Sequence, residues 1–179
     1  ARGHLERSLA VTRTLAAADP DSPQIQRDLA IALNNLGNLE EQAGHLTAAL
    51  DHYERALDVN EALAASDPTS PLARRDLANA LSSLADRETT VGRLESAREH
   101  NARALELRTA LTQENPTSAP AQRDLFVPRA NLGTLAMRTG EFATAREHLE
   151  LSLSIATALA AADPTSAQAK RYLTICLEG

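Results

Sequence analysis

Aromatic residues are almost missing from this sequence. Tyr53, Phe126, Phe142 and Tyr172 are the full set, 2% of 179 residues, and there is no Trp. Large β-sandwiches and barrels draw their cores from aromatic and β-branched side chains, so that class is excluded. The single cysteine, Cys176, leaves no internal disulfide, and no Cys/His cluster has the spacing of a zinc site. Basic charge is outweighed: 18 Lys+Arg stand against 24 Asp+Glu, a net charge of −6 with a pI near 5.4. A protein that grips nucleic acid through its phosphates needs the opposite balance. No apolar run approaches the ~18 residues of a membrane span, and no signal-peptide pattern opens the sequence. There is no phosphate-cradling glycine loop, nucleophile elbow or HExxH pattern, so no enzyme activity, cofactor or metal is expected. What remains is rich in Ala and Leu, 43% hydrophobic, and points to an all-α protein of a reducing, cytoplasmic setting.

The sequence is periodic. Asp19-Pro20, Asp67-Pro68, Asn115-Pro116 and Asp163-Pro164 stand 48 positions apart. The same step carries Arg27-Asp28 to Arg75-Asp76, Arg123-Asp124 and Arg171, and Gly44 to Gly92 and Gly140. It also carries Leu36 to Leu84 and Leu132, Ala49 to Ala97 and Ala145, and His4 to His52, His100 and His148. Such self-similarity marks an array of stacked units. Residues 19–66, 67–114 and 115–162 are full repeats; residues 1–18 read as the second half of one, and 163–179 as the first half of another. The expectation is a single array cut from a longer one.

Within Asp19 to Ser66, Ile25, Leu29, Leu33 and Leu36 fall at helical spacing. Gly44 suits a left-handed cap. A second helical run carries Leu46, Ala49, Leu50, Tyr53, Ala56, Leu57 and Leu63, and ends before Asp67-Pro68, where proline cannot continue the ladder. Thr69 or Ser70 then offers an N-cap oxygen, with Pro71 fit for the next first turn. Each helix should run roughly 20 residues, about 30 Å.

Asn35-Leu36-Gly37-Asn38, followed by Gly44, Leu46, Ala49, Tyr53, Ala56 and Leu57, resembles the tetratricopeptide repeat signature. Asn131-Leu132-Gly133-Thr134, Gly140, Phe142, Ala145, Leu149 and Leu153 repeat it, while the middle copy has Ala85 for the glycine and Asn101 for the aromatic. A standard unit has about 34 residues. The longer unit here adds about two turns to each helix, which nearly restores the helix face. It resembles the long-helix arrays of kinesin light chains and bacterial signalling proteins. The resemblance implies a right-handed superhelical solenoid of antiparallel helix pairs, about eight helices in all. It also implies a non-catalytic protein–protein interaction module that takes a peptide or partner domain on its concave face, within a larger signalling or effector protein. The alternative is a scaffold that self-associates through apolar ends at Leu5/Leu9 and Leu173/Leu177.

Family positions place Asn34, Asn38 and Gln42, then Ser82, Asp86 and Thr90, then Thr134 and Arg138 along the concave wall. The lysine of carboxylate-clamp members is missing at Asn34, so a chaperone-tail clamp is not implied. Arg27, Arg75 and Arg123 lie on the same helix face, either as a ladder for acidic ligands or as partners of the Asp residues that repeat with them. The histidine ladder is read as packing plus a hydrogen bond. Pro128, where other copies have Ala32 and Ala80, should bend or split its helix and free a carbonyl near Asp124.

Overall fold

The structure, a computed structural model, describes residues 2–115 and 118–178, with the side chains of residues 119 and 178 left aside. Ala1, Pro116, Thr117 and Gly179, all within the repeat bounds read from the sequence, lie outside the described residues. Among the described residues the regular structure is entirely helical: α1 (Arg2–Ala18), α2 (Pro23–Gln42), α3 (Leu46–Ser66), α4 (Pro71–Thr90), α5 (Leu94–Glu114), α6 (Ala119–Asp124), α7 (Phe126–Thr139), α8 (Phe142–Ala162) and α9 (Ala167–Glu178). The protein is an all-α helical repeat. It divides into two compact units, Ala1–Gly92 and Arg93–Gly179.

Local chemistry sets the helix ends. Ser70, Ser118 and Ser166 accept the backbone N–H of Ala73, Ala121 and Ala169 at 3.2, 3.3 and 3.2 Å, each capping the helix that follows. Ser70, not Thr69, is therefore the cap. Thr69 belongs to the turn: Asp67 Oδ1 accepts its N–H at 3.1 Å and its hydroxyl at 2.7 Å, which holds the Asp67 carboxyl below its usual pKa. Asp163 and Thr165 repeat the arrangement. At the other ends Gly44, Gly92 and Gly140 have φ of +79°, +83° and +81°, a conformation that a Cβ disfavours.

In the first unit α2 packs between α1 and α3, and α3 also packs on α4. Leu9, Ala32, Leu33, Leu36 and Ala56 form a core flanked by Leu5, Leu29, Leu39 and Val59. Burying a leucine such as Leu33, 2% exposed, is worth about 1.5–3 kcal/mol. Leu9 is only 6% exposed, so it does not belong to an open apolar end; its side chain is spent on α2. Gly37 lets Tyr53 approach: a Cβ there would sit 3.0 Å from the ring. In the second unit α7 packs on α5 and α8, and α8 on α9. Phe126, Ala130 and Ala156 form its core, and Phe126 stacks on Tyr172 with centroids 4.0 Å apart.

Against about eight helices expected, the described residues form nine helical segments, because one helix is divided. Pro128 lacks an N–H and would drive its ring into the carbonyl of Asp124, so α6 stops at Asp124 and α7 restarts at Phe126. The freed carbonyl does not stay free. Arg108 Nη1 donates to Asp124 O at 2.8 Å. One turn along α5, the Thr112 hydroxyl, 2.8 Å from Arg108 O of its own helix, also lies 3.2 Å from Ala121 O, whose usual partner, the Leu125 N–H, has turned to Gln122 O. Arg108 and Thr112 stand where the first full repeat has Asn60 and Ala64. The break lies in residues 115–162 and Arg108 and Thr112 in residues 67–114, and no other pair of neighbouring copies has this set.

Candidate functional site

The expected groove residues belong to α2 in the first repeat, and α2 meets α4 there through paired charges. Arg27 Nε lies 2.8 Å from Asp76 Oδ2, with both side chains about a fifth exposed. The bond joins one repeat to the next, as the parallel repetition of Arg and Asp suggested, and it occupies the Arg27 guanidinium. Around it Ala30, Ile31, Asn34, Asn60, Asn79, Ala80 and Ser83 complete the lining of a cavity of about 200 Å³.

Further along the same helices, Arg87 Nε lies 3.0 Å from Glu41 Oε2, and its guanidinium sits 5.3 Å from the centre of the Tyr53 ring. The Tyr53 hydroxyl is 2.7 Å from Asn38 Oδ1 and 3.1 Å from Glu41 Oε2. Burial pushes the Tyr53 pKa up, with Arg87 pulling against it, so the phenol stays protonated and keeps donating. Asn38 is thus exposed but already engaged, and Gln42 is exposed beyond it.

The remaining expected positions divide. Thr90 and Thr134 are exposed, with hydroxyls turned to the carbonyls of Asp86 and Ala130. Asp86 is half-buried, 3.7 Å from Arg87, while Arg75 and Arg138 are exposed. Arg123 is 3.7 Å from Asp124 of its own helix and borders a cavity of about 370 Å³ with Pro120, Leu159 and Tyr172. Ser82 is a correction. It is 6% exposed, on the apolar side of α4, and its Oγ has no hydrogen-bond partner. Its register mate Ala130 is buried too, so this position belongs to the core in both repeats.

The histidine ladder divides: Nδ1 of His52 and of His148 is buried without a hydrogen-bond partner, whereas exposed His4 has its Nδ1 3.5 Å from Arg7 Nη2. Among the described residues no group of three His, Cys, Asp or Glu side chains converges as a metal site. Two contributors escaped the sequence reasoning. Ile31, 52% exposed, puts an apolar surface beside Asn34; its signal is an apolar residue lying off the Leu29–Leu33–Leu36 stripe. Arg87 was legible only as a basic residue, because nothing in one copy announces a partner 46 positions away.

The tetratricopeptide repeat family pattern matches residues 29–68, the α2–α3 pair. No protein of curated function matches the sequence. Among solved structures, BtubC (BKLC) from P. vanneervenii superposes with a TM-score of 0.67 at 22% identity, over 95% of this chain and 60% of that one. The chain therefore spans less than two thirds of that protein, and the likeness is one of fold. TTC0263, a thermophilic TPR protein of Thermus thermophilus, superposes more loosely, with a TM-score of 0.42 at 16% identity over 98% of this chain and 92% of that one. The family pattern thus covers one helix pair of the chain, and the 48-residue register carries related residues to both sides of it.

Proposed function

We propose that the chain is a non-catalytic protein-interaction module that takes a peptide or partner domain on the face formed by the first helix of each pair, as part of a larger cytoplasmic signalling or effector protein. The observation that carries this is the α2–α4 surface of the first unit. Its charges are already paired in Arg27–Asp76 and Arg87–Glu41, and between them it offers the exposed apolar Ile31 flanked by Asn34 and Asn79. Pre-paired charges hold the wall rigid, so a ligand does not have to order it on binding. The side-chain amides offer donors and acceptors to a ligand's main chain, and Ile31 supplies an anchor.

The test is photo-crosslinking from position 34 against a control at Arg146, whose side chain is 79% exposed on α8. A partner crosslinked at 34 but not at 146, and lost about tenfold in Ile31→Asp with an unchanged unfolding midpoint, supports the reading. Equal capture by wild type and Ile31→Asp overturns it.

A second reading, self-association as a scaffold, rests on apolar side chains exposed on α1 and α9: Val11 and Leu15 on the first, Ile175 and Leu177 (77% exposed) on the second. Sedimentation velocity across a hundredfold concentration range checks it, and a constant monomer mass ends it.

A further inference from the structure

The second unit contains a cavity of about 540 Å³ between α5, α7 and α8. Its place in the repeat is occupied two copies earlier. There Glu40, 5% exposed, lies with Oε1 2.8 Å from Arg2 Nη2 and Oε2 2.7 Å from His45 Nδ1. That partnership, with His45 first and Arg2 after it, holds the Glu40 carboxyl below its usual pKa despite its burial. The first trio of helices thus closes around its own carboxylate.

Stepping 96 positions along the sequence turns Arg2 into Arg98, Glu40 into Ala136, His45 into Glu141 and His52 into His148. The buried acid has become a methyl group. Leu33, a core residue in the first trio, has become Arg129, which lines the cavity. The site has lost an anion and gained a cation.

The charges around the cavity are not all committed. Arg98 is ion-paired with Glu95 and also feels Glu141, and Glu141 accepts the Thr139 hydroxyl at 2.9 Å. Glu106 is exposed on the α5 side. Arg129 is half-buried and has no ion-pair or hydrogen-bond partner among the described residues. His148 lines the cavity as well, with Nδ1 buried and unpartnered. Burial and the nearby positive charge of Arg129 both push its pKa down, so its ring is neutral at pH 7 and free to donate one hydrogen bond. The rest of the wall combines the apolar Ala102, Leu105, Ala110, Leu132 and Ala136 with the neutral polar Thr109, Gln113 and Thr144.

We propose that this cavity is a binding site for a small carboxylic acid with an apolar body, whose carboxylate meets Arg129 and His148 in place of the missing glutamate. The volume lies in the range that holds a whole small molecule, and an apolar wall with a few convergent polar groups is how such sites are built. A guanidinium held half out of water binds a carboxylate by charge-assisted hydrogen bonds. The site is separate from the α2–α4 surface and does not depend on the peptide-binding reading.

The repeat supplies its own controls. Ala136→Glu restores the internal acid found at Glu40, and Arg129→Leu restores the core residue found at Leu33 and Leu81, so both variants use residues that the fold already accepts at that register. The probe is octanoate, with octanamide as its neutral counterpart, titrated by calorimetry and by the ¹⁵N signals of the His148 ring. The expected result is saturable octanoate binding that shifts His148, with octanamide at least about tenfold weaker, the loss that follows when a charge-assisted bond becomes a neutral one. Ala136→Glu and Arg129→Leu each weaken octanoate by about tenfold or more while keeping the wild-type circular dichroism. Equal affinity for acid and amide, octanoate affinity unchanged in both variants, or no His148 shift at millimolar octanoate would each overturn the proposal.

Discussion

The trio α1–α2–α3 and the trio α5–α7–α8 are the same piece of the repeat, and they solve the same packing problem in opposite ways. The first fills its interior with Leu33 and with Glu40, a buried acid bonded to Arg2 and His45. The second has Arg129 and Ala136 at those positions and is left with a cavity. Even their backbones differ: α2 runs unbroken from Pro23 to Gln42, whereas its counterpart is split between α6 and α7. Repeats hold their shape through a few spacing residues, the small Ala49, Ala97 and Ala145 and the glycine caps, so positions between those are free to diverge. The divergence is correlated, since Pro128 comes with Arg108 and Thr112 to satisfy what it breaks.

Exchanging residues between the trios tests that correlation. The largest effect is expected for Arg108→Asn, which installs the Asn60 of the first repeat but leaves Asp124 O without its donor. A half-buried carbonyl left unmet costs up to about 1–3 kcal/mol, read as a lower urea midpoint. Adding Pro128→Ala should recover most of the loss, because the proline that freed the carbonyl is then gone; no recovery would mean that Arg108 acts elsewhere. Next is Ser82→Ala, the residue of the Ala130 copy. Removing a buried hydroxyl with no partner should stabilise the protein by roughly 1 kcal/mol, and a destabilised variant would reveal a partner for that Oγ.

Two smaller effects depend on pH. The Glu40 carboxyl is depressed in the folded state, so its contribution is present above the ordinary carboxylate value of about 4.3 and is lost as pH falls through the lower folded value. Wild type and Glu40→Gln should therefore differ in unfolding midpoint at pH 7 by a gap that narrows as pH falls through the carboxylate range; a constant gap would show that the charge is irrelevant. The second trio has no such acid but has His148, whose folded pKa is lowered. Its neutral form is favoured by folding, so stability is lost as pH falls below the ordinary histidine value of about 6.5. His148→Gln should flatten that part of the pH–midpoint curve, and an unchanged curve would place the sensitivity in another group.

Much of the fold was legible from spacing. The Asp-Pro turns, the serine caps and the glycines after α2, α4 and α7 are local features, set by dihedral preferences and by oxygens within three residues of their partners. The Arg27–Asp76 bond was legible too, because both residues recur at the repeat period. Ser82 was misplaced because family position alone does not report which way a helix is turned against its neighbours. Val11 and Leu15, not Leu9, form the exposed apolar side of α1, since the rotation of the helix about its axis decides which leucine meets α2. Ile31 and Arg129 were missed for a related reason: a single residue off its stripe has meaning only when its surroundings are known.

Periodicity by itself determined that this protein is a train of helix pairs, where each helix begins and ends, and that Pro128 would interrupt one of them. These follow from bonds and torsions that reach no farther than one turn of backbone. Only the tertiary structure decided that Arg108 would close the gap left by Pro128, that Ser82 would face inward, and that one interhelical space would hold its own carboxylate while its counterpart stayed open. Those outcomes depend on side chains from three helices meeting at one point, and the volume and charge balance at that point belong to no single stretch of sequence.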